Sequence, residues 1–289
     1  AVVDWHAMKE KMHTLKDHPL IIRNISQTSK EVYQEGALFL KWLIDYFTFL
    51  GYYAYTVSST DKQPISMKKD YLGIMRCSQH IHDLKEQFMG YLQLDGSKQD
   101  DLLWIRKTNT RSTVHRNSYT DCIEIVVFNS VKKTQTHHCF IGLFTSDAYE
   151  SEPSLIPLIR AKVAYVIKQA NYSNDPYIAK KLLHIMRTLP RDELFQSDQQ
   201  YLLDVVRGIY NLQERRKTKV FIRHDDQQNI VACVILIPKD HFNTKLRLKI
   251  QNYLFKALNA YDVQAVPSFT ESIYAQVYFV FRYRQLEKT

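Results

Sequence analysis

Lys219-Val220-Phe221-Ile222-Arg223, followed by Ile230-Val231-Ala232-Cys233-Val234-Ile235-Leu236-Ile237-Pro238, is the stretch that decides the fold. The first run reads as an edge strand and residues 225–229 as a turn. The second reads as a strong strand, which Pro238 ends because proline has no N–H to give to a ladder. Asn243 or Thr244 then caps a helix running to about Asn259, with Leu246, Ile250, Leu254 and Leu258 on one face. Strands at 263–269 and 274–283 complete a β-β-α-β-β order. A small sheet with one face covered by a helix is the expected product.

Working outward toward the N-terminus, the preceding stretch reads as helical. Residues 153–170 carry Leu155, Ile159, Val163 and Val166 on one stripe. Asp175-Pro176 is an N-cap followed by proline at the first helical position. It opens a helix carrying Ile178, Leu182, Ile185 and Leu189, which Pro190 stops. Ser197 is expected to cap a third helix containing Tyr201, Leu202, Val205, Val206 and Ile209. Further back, 4–15 and 29–46 read as helices, the second capped at Thr28 or Ser29. Then come a Tyr- and Phe-rich strand at 49–57, a turn at 61–64, a short strand at 72–77, a helix at 81–92 and a loop at Asp95-Gly96-Ser97. Strands at 102–107, 122–128 and 138–144 follow. The fold class is α+β: two α/β sandwich units with mainly antiparallel sheets, joined by an all-helical connector of three helices. The boundaries fall at 1–36 for an N-terminal helical linker, 37–150 for the first unit, 151–216 for the connector and 217–289 for the smaller second unit.

The composition supports sizeable cores and argues against disorder, since 45% of residues are hydrophobic. No apolar run is long enough for a membrane span, and the charged first residues lack a signal-peptide core. The four cysteines, Cys77, Cys122, Cys139 and Cys233, are scattered without a CxxC pair. They read as reduced core residues of a cytoplasmic protein. The chain lacks an initiator Met and stops after an apparent strand, which suits a fragment of something longer.

The net charge of +9, with 19 Tyr and 14 Phe, raises nucleic-acid binding as one alternative. The basic residues are dispersed, however, and no recognised nucleic-acid module is present. The densest cluster, Arg215-Arg216-Lys217 with Lys219 and Arg223, reads as a solvated helix end followed by an edge strand.

Chemistry-bearing motifs are few. The seven glycines stand far apart, so neither a dinucleotide fingerprint nor a P-loop can be written on the chain. The expectation is no cofactor in this segment. His137-His138-Cys139 is the most tempting metal trio, but adjacent strand residues face opposite sides. It reads as strand-edge histidines and a core cysteine, with no metal. No G-x-S-x-G is present, and no catalytic residue is assigned. Arg111, His115, Arg116 and Asp121 form a polar stretch between strands, suited either to an anion or to ion pairing with another domain. In 190–196, Pro190 initiates a turn that sets Asp192 and Glu193 at a positive helix start beside Arg191. Leu194 and Phe195 can then plug a core, so the segment reads as a domain-joining device rather than a catalytic acid pair.

Certain segments, taken in order, resemble a known family. They are Phe47-Thr48-Phe49-Leu50-Gly51-Tyr52, Ser112-Thr113-Val114-His115-Arg116, and Phe140-Ile141-Gly142-Leu143-Phe144-Thr145-Ser146 with Ala148-Tyr149. Further on come Ile156-Pro157-Leu158 with Arg160 and Lys162-Val163, residues 190–196, Leu212-Gln213-Glu214-Arg215, and Pro238 with Asn243-Thr244. Together they are similar to the N-terminal ACT-like region of the large-subunit class of bacterial NAD-dependent glutamate dehydrogenases. The resemblance departs from the family at Pro238-Lys239-Asp240, where many relatives read Pro-Arg-Asp, and leaves 61–99 unregistered. It implies a multi-domain, homo-oligomeric parent enzyme that converts L-glutamate, NAD and water to 2-oxoglutarate, ammonia and NADH. This chain would supply the second and third ACT-like units and their helical link. The catalytic lysine and the glycine-rich NAD site would lie elsewhere. Partners implied are the remainder of the same polypeptide, its oligomeric copies and an amino-acid effector, with neither nucleic acid nor membrane. Arg111, His115, Arg116, Arg160, Arg191 and Asp192 are the regulatory or interdomain candidates. The alternative is a purely structural oligomerisation module that takes no ligand.

Overall fold

A computed structural model describes residues 3–16, 27–58, 64–76, 103–112, 114, 116–129, 134–170, 175–212, 215–225 and 228–284. The expected helix at 81–92, the loop at 95–97, Cys77 and His115 lie outside these residues, as does most of the turn at 61–64. The chain divides into two compact units, residues 1–161 and 162–289.

In the first unit, α1 (Trp5–Lys16) and α2 (Gln27–Tyr46) precede a five-stranded antiparallel sheet. Its strands are β1 (Phe47–Ser58), β2 (Pro64–Gly73), β3 (Leu103–Arg111), β4 (Tyr119–Asn129) and β5 (Thr134–Phe144), in the spatial order β2-β1-β5-β4-β3. Alternation along the strands divides the aromatic residues between the two faces. Tyr52 and Phe140 pack with tilted rings on one face, where Lys11 of α1 lies 5.0 Å from the Tyr52 ring. Tyr53, Tyr55, Val57, Cys122, Cys139, Ile141 and Met75 form the core of the other. The short strand expected at 72–77 is instead the end of β2 followed by a 3₁₀ turn, Ile74–Arg76. Gly73, at φ 61°, is where the extended chain turns. After β5 come α3 (Ser146–Glu150), a 3₁₀ turn (Pro153–Leu155) and the start of α4 (Ile159–Gln169).

The single helix expected over 153–170 is therefore broken. Pro157 forces Ile156 out of the helical region, to φ −81° and ψ 120°. Leu158 takes φ 65°, a left-handed conformation costing about 1–2 kcal/mol for a side-chain-bearing residue.

In the second unit the rest of α4 is followed by α5 (Pro176–Thr188), α6 (Arg191–Gln196) and α7 (Gln199–Leu212). Four helices, rather than three, thus occupy the described part of the connector region. Asp175 caps α5 through Tyr177 N–H as expected. Ser197 is the C-terminal cap of α6, and it is Asp198 that accepts the Tyr201 N–H at the start of α7.

The second sheet comprises β6 (Lys219–Asp225), β7 (Ile230–Pro238), β8 (Ala260–Phe269) and β9 (Tyr274–Tyr283), all antiparallel in the order β6-β7-β9-β8, with α8 (Thr244–Ala257) between β7 and β8. Every residue of β7 is buried, and every residue of β9 except the last. One covered face cannot produce that pattern; two can. Val231, Cys233, Ile235 and Ile237 pack with Val277, Phe279 and Phe281 beneath Leu246, Ile250 and Leu254 of α8. The opposite face, with Leu236 and Tyr274, packs on Leu212, Ile209 and Phe221. The expectation of a sheet covered on one side is corrected accordingly: α7 covers the side that α8 does not.

Candidate functional site

The face of the second sheet opposite α8 is held by a buried charge. Pro190 opens α6 and sets Glu193 in its first turn, where the Glu193 N–H donates to the Pro190 carbonyl at 3.0 Å. The side chain points inward and Glu193 is 1% exposed. Arg223 of β6 donates to this carboxylate through Nε, at 3.2 Å from both oxygens, and through Nη2 at 2.6 Å. The Tyr278 hydroxyl of β9 donates at 3.0 Å and Ser197 Oγ at 3.3 Å. Arg223 Nη2 also reaches Gln196 Oε1 at 3.1 Å. One carboxylate thus ties α6 to two strands of the sheet.

The electrostatics follow from the geometry. Burial alone would lower the Arg223 pKa, but the adjacent Glu193 charge outweighs it and drives the value up. Burial, reinforced by the same charge, pushes the Tyr278 phenol well up, so it remains a donor. Beside this pair, Lys162 of α4 donates to the carbonyls of Leu194 at 2.8 Å, Phe195 at 3.0 Å and Ser197 at 2.7 Å, capping the end of α6. Burial of its amine lowers the Lys162 pKa to about 8. Two further contacts join helices to sheet. Gln276 Nε2 donates to Thr188 O at 3.0 Å. The Phe221 ring lies so close over Gly208 of α7 that an added Cβ would sit 2.5 Å from Cε1.

Residues 190–196 thus tie a helix to the sheet within the second unit, and Asp192 stands with Arg191 at the start of the same helix. Arg223 corrects the sequence reading, which placed it with a solvated basic cluster; its side chain is buried in the ion pair. Tyr278, Ser197 and Lys162 were not anticipated as partners. A signal was available for Arg223, since it shares a strand face with the partly buried Phe221.

The other candidates are dispersed. Arg160 makes a bidentate pair with Glu35 of α2, through Nε at 3.0 and 2.9 Å and Nη2 at 2.6 Å, and Leu158 N–H donates to the same carboxylate at 3.0 Å. That carboxylate holds the left-handed Leu158 in place. Arg111 lies over Tyr119, while Arg116 lies over Tyr149 and donates to Phe144 O at 2.9 Å. The structure directs these two arginines to different rings. Asp121 sits within β4, paired with Lys107 directly across the β3 register at 3.0 Å.

In the metal-suspect trio, His138 faces Tyr52, with Nδ1 2.8 Å from the hydroxyl, while His137 faces the opposite side. His137 is not an edge residue. It is buried in the central strand β5, with Nδ1 2.8 Å from Glu124, which also accepts from Tyr55 at 2.9 Å. Burial raises the Glu124 pKa, but the His137 hydrogen bond and the Arg106 charge outweigh it and hold the carboxyl below its usual value. Among the described residues no group of His, Cys, Asp and Glu is arranged to hold a metal ion. Cys122, Cys139 and Cys233 are buried free thiols. No helix of the described residues is long and apolar enough to cross a membrane.

Two antiparallel sheets, the second faced by α8 and by a clamped helical segment, define an α+β protein with ACT-like units. Residues 156–215 match the family described as Glutamate dehydrogenase, helical motif 1, and residues 219–289 match Glutamate dehydrogenase, ACT2 domain. The NAD-specific glutamate dehydrogenase of Pseudomonas aeruginosa is 32% identical over 289 residues, covering 97% of this chain. That of Halomonas elongata is 30% identical over 264 residues, covering 89%, and that of Mycobacterium tuberculosis 27% over 183 residues, covering 63%. The chain belongs to the large-subunit class of NAD-dependent glutamate dehydrogenases, in the region of its ACT-like domains. It spans 17%, 16% and 11% of the lengths of these three relatives. One expectation is corrected by the family match: the unit at 219–289 corresponds to the second ACT domain, not the third.

Proposed function

We propose that this chain is a non-catalytic regulatory and assembly segment of an NAD-dependent glutamate dehydrogenase, whose reaction would convert L-glutamate, NAD and water to 2-oxoglutarate, ammonia and NADH. The reading is carried by the use made of Glu193. A carboxylate with three hydrogen-bonding residues, Arg223, Tyr278 and Ser197, is spent on fixing helical motif to sheet. Such a buried pair confers a unique arrangement more than it confers stability. A defined helix-to-sheet geometry is what a scaffold needs to place other domains. The NAD site, the catalytic lysine, the cytoplasmic setting and the homo-oligomeric state belong to the same proposal. An amino-acid effector bound by the ACT-like units is its regulatory part.

The test is made in an enzyme carrying this segment. Breaking the clamp with Glu193→Ala should shift oligomer size or effector response by light scattering and kinetics. Turnover by correctly assembled enzyme should persist. Loss of chemistry with assembly and effector response intact would contradict the reading. Calorimetry of the 289-residue chain against a panel of amino acids separates the two roles, since heat with one of them supports regulation and no heat leaves assembly alone.

A further inference from the structure

The outer face of α8 carries a charge pattern that the fold itself does not use. The helix reads Thr-Lys-Leu-Arg-Leu-Lys-Ile-Gln-Asn-Tyr-Leu-Phe-Lys-Ala, with four cations and no carboxylate. Leu246, Ile250, Leu254 and Phe255 face the sheet. Lys245, Lys249 and Lys256 are exposed, and none of the three has an ion pair among the described residues. Among the described residues, Arg247 reaches only Gln251 Oε1, at 3.0 Å. The nearest acid in sequence, Asp240, is paired with Arg216.

This arrangement works against the helix. Lys245 and Lys249 stand at i and i+4, where like charges repel. Lys245 and Arg247 lie in the first turn, at the positive end of the helix dipole, which favours acids. Two large apolar side chains also stand on the outside among the lysines: Leu248 at 42% and Tyr253 at 73% exposure. A cationic stripe interrupted by Leu and Tyr matches a polypeptide surface that offers carboxylates and apolar groups together. A phosphate backbone would use the cations but not Leu248.

We infer that the outer face of α8 is an interaction surface for an acidic polypeptide segment, with Lys245, Lys249 and Lys256 meeting carboxylates and Leu248 and Tyr253 meeting apolar side chains. A negative partner removes the repulsion that the helix carries alone. The surface is distinct from the Glu193 clamp, so this inference and the proposed function fail separately.

The experiment uses the 289-residue chain, a fluorescent amphipathic peptide of alternating Glu and Leu faces, and a single-stranded oligonucleotide of equal charge, with anisotropy read at low salt. The peptide should bind, and Lys245→Glu/Lys249→Glu/Lys256→Glu should weaken it about tenfold. An equal charge change elsewhere, Lys168→Glu/Lys180→Glu/Lys217→Glu, should leave binding near the wild-type value. The neutral variant Lys245→Gln/Lys249→Gln/Lys256→Gln should weaken binding in the same direction, and its melting temperature should stay at or above that of wild type. No peptide binding, equal weakening by the two reversal variants, or tighter binding of the oligonucleotide would each overturn the inference.

Discussion

Glu193 accepts hydrogen bonds from both Nε and Nη2 of Arg223, so a six-residue helix and an edge strand share one buried ion pair. Removing the carboxylate strands a guanidinium away from water and leaves Tyr278 without its acceptor. Glu193→Ala is expected to destabilise the second unit by about 3–5 kcal/mol in urea denaturation. The double variant Glu193→Leu/Arg223→Met should lose less than either single replacement, because no unpaired charge remains. Additive losses would show that the pair is not coupled as described.

Phe221 over Gly208 supplies a test of a second helix-to-sheet contact. Gly→Ala in a helix ordinarily gains about 1 kcal/mol. Here the new methyl meets the ring edge, so Gly208→Ala should lose stability instead. Pairing it with Phe221→Ala should restore the gain expected of the helix alone. Thermal melts of the four proteins in that cycle would decide it.

Lys162 should give the second unit an alkaline signature. Its folded pKa, lowered to about 8 by burial, lies below the unfolded value near 10.5. Between those values the unfolded chain holds a proton that the native chain has released, so stability rises with pH through that window. The slope is at most about 1.4 kcal/mol per pH unit. The stability difference between wild type and Lys162→Met should therefore shift in favour of wild type from pH 8 to 10.5. A flat difference would mean that the three carbonyls hold the ammonium charged throughout.

Glu35 should give an acid signature of the same sign, in a lower pH window. The Arg160 hydrogen bonds hold its carboxyl below the ordinary 4.5, so the pair contributes fully above that value and is lost as pH falls through the folded pKa. Arg160→Met should cost about 0.5–1 kcal/mol at neutral pH, as the pair is partly exposed. That cost should shrink below pH 4.5, measured by urea midpoints across the acid range.

The β-β-α-β-β order was legible because strand and helix periodicities alternate cleanly between residues 219 and 283, and Asn243 and Asp175 announce their helices by cap chemistry. The break at Leu158 was less so. Pro157 was visible, but the apolar stripe ran across it, and only the distant Glu35 carboxylate explains the left-handed turn. The double coverage of β7 by α7 and α8 was hidden for a similar reason, since an unbroken apolar strand does not say which element lies over each face. Pro190 and the acidic first turn around Glu193 are visible in the sequence, but the contacts that Glu193 makes are not. The sequence groups its partner Arg223 with solvated cations; the strand face shared with Phe221 hints at burial, but nothing local points to a carboxylate thirty positions away.

The most direct test of the central claim is to incubate the 289-residue chain with L-glutamate and NAD, following NADH absorbance, and to measure NAD binding by equilibrium dialysis. The account predicts neither turnover nor bound cofactor. NADH formation, or NAD retained by this chain alone, would contradict it.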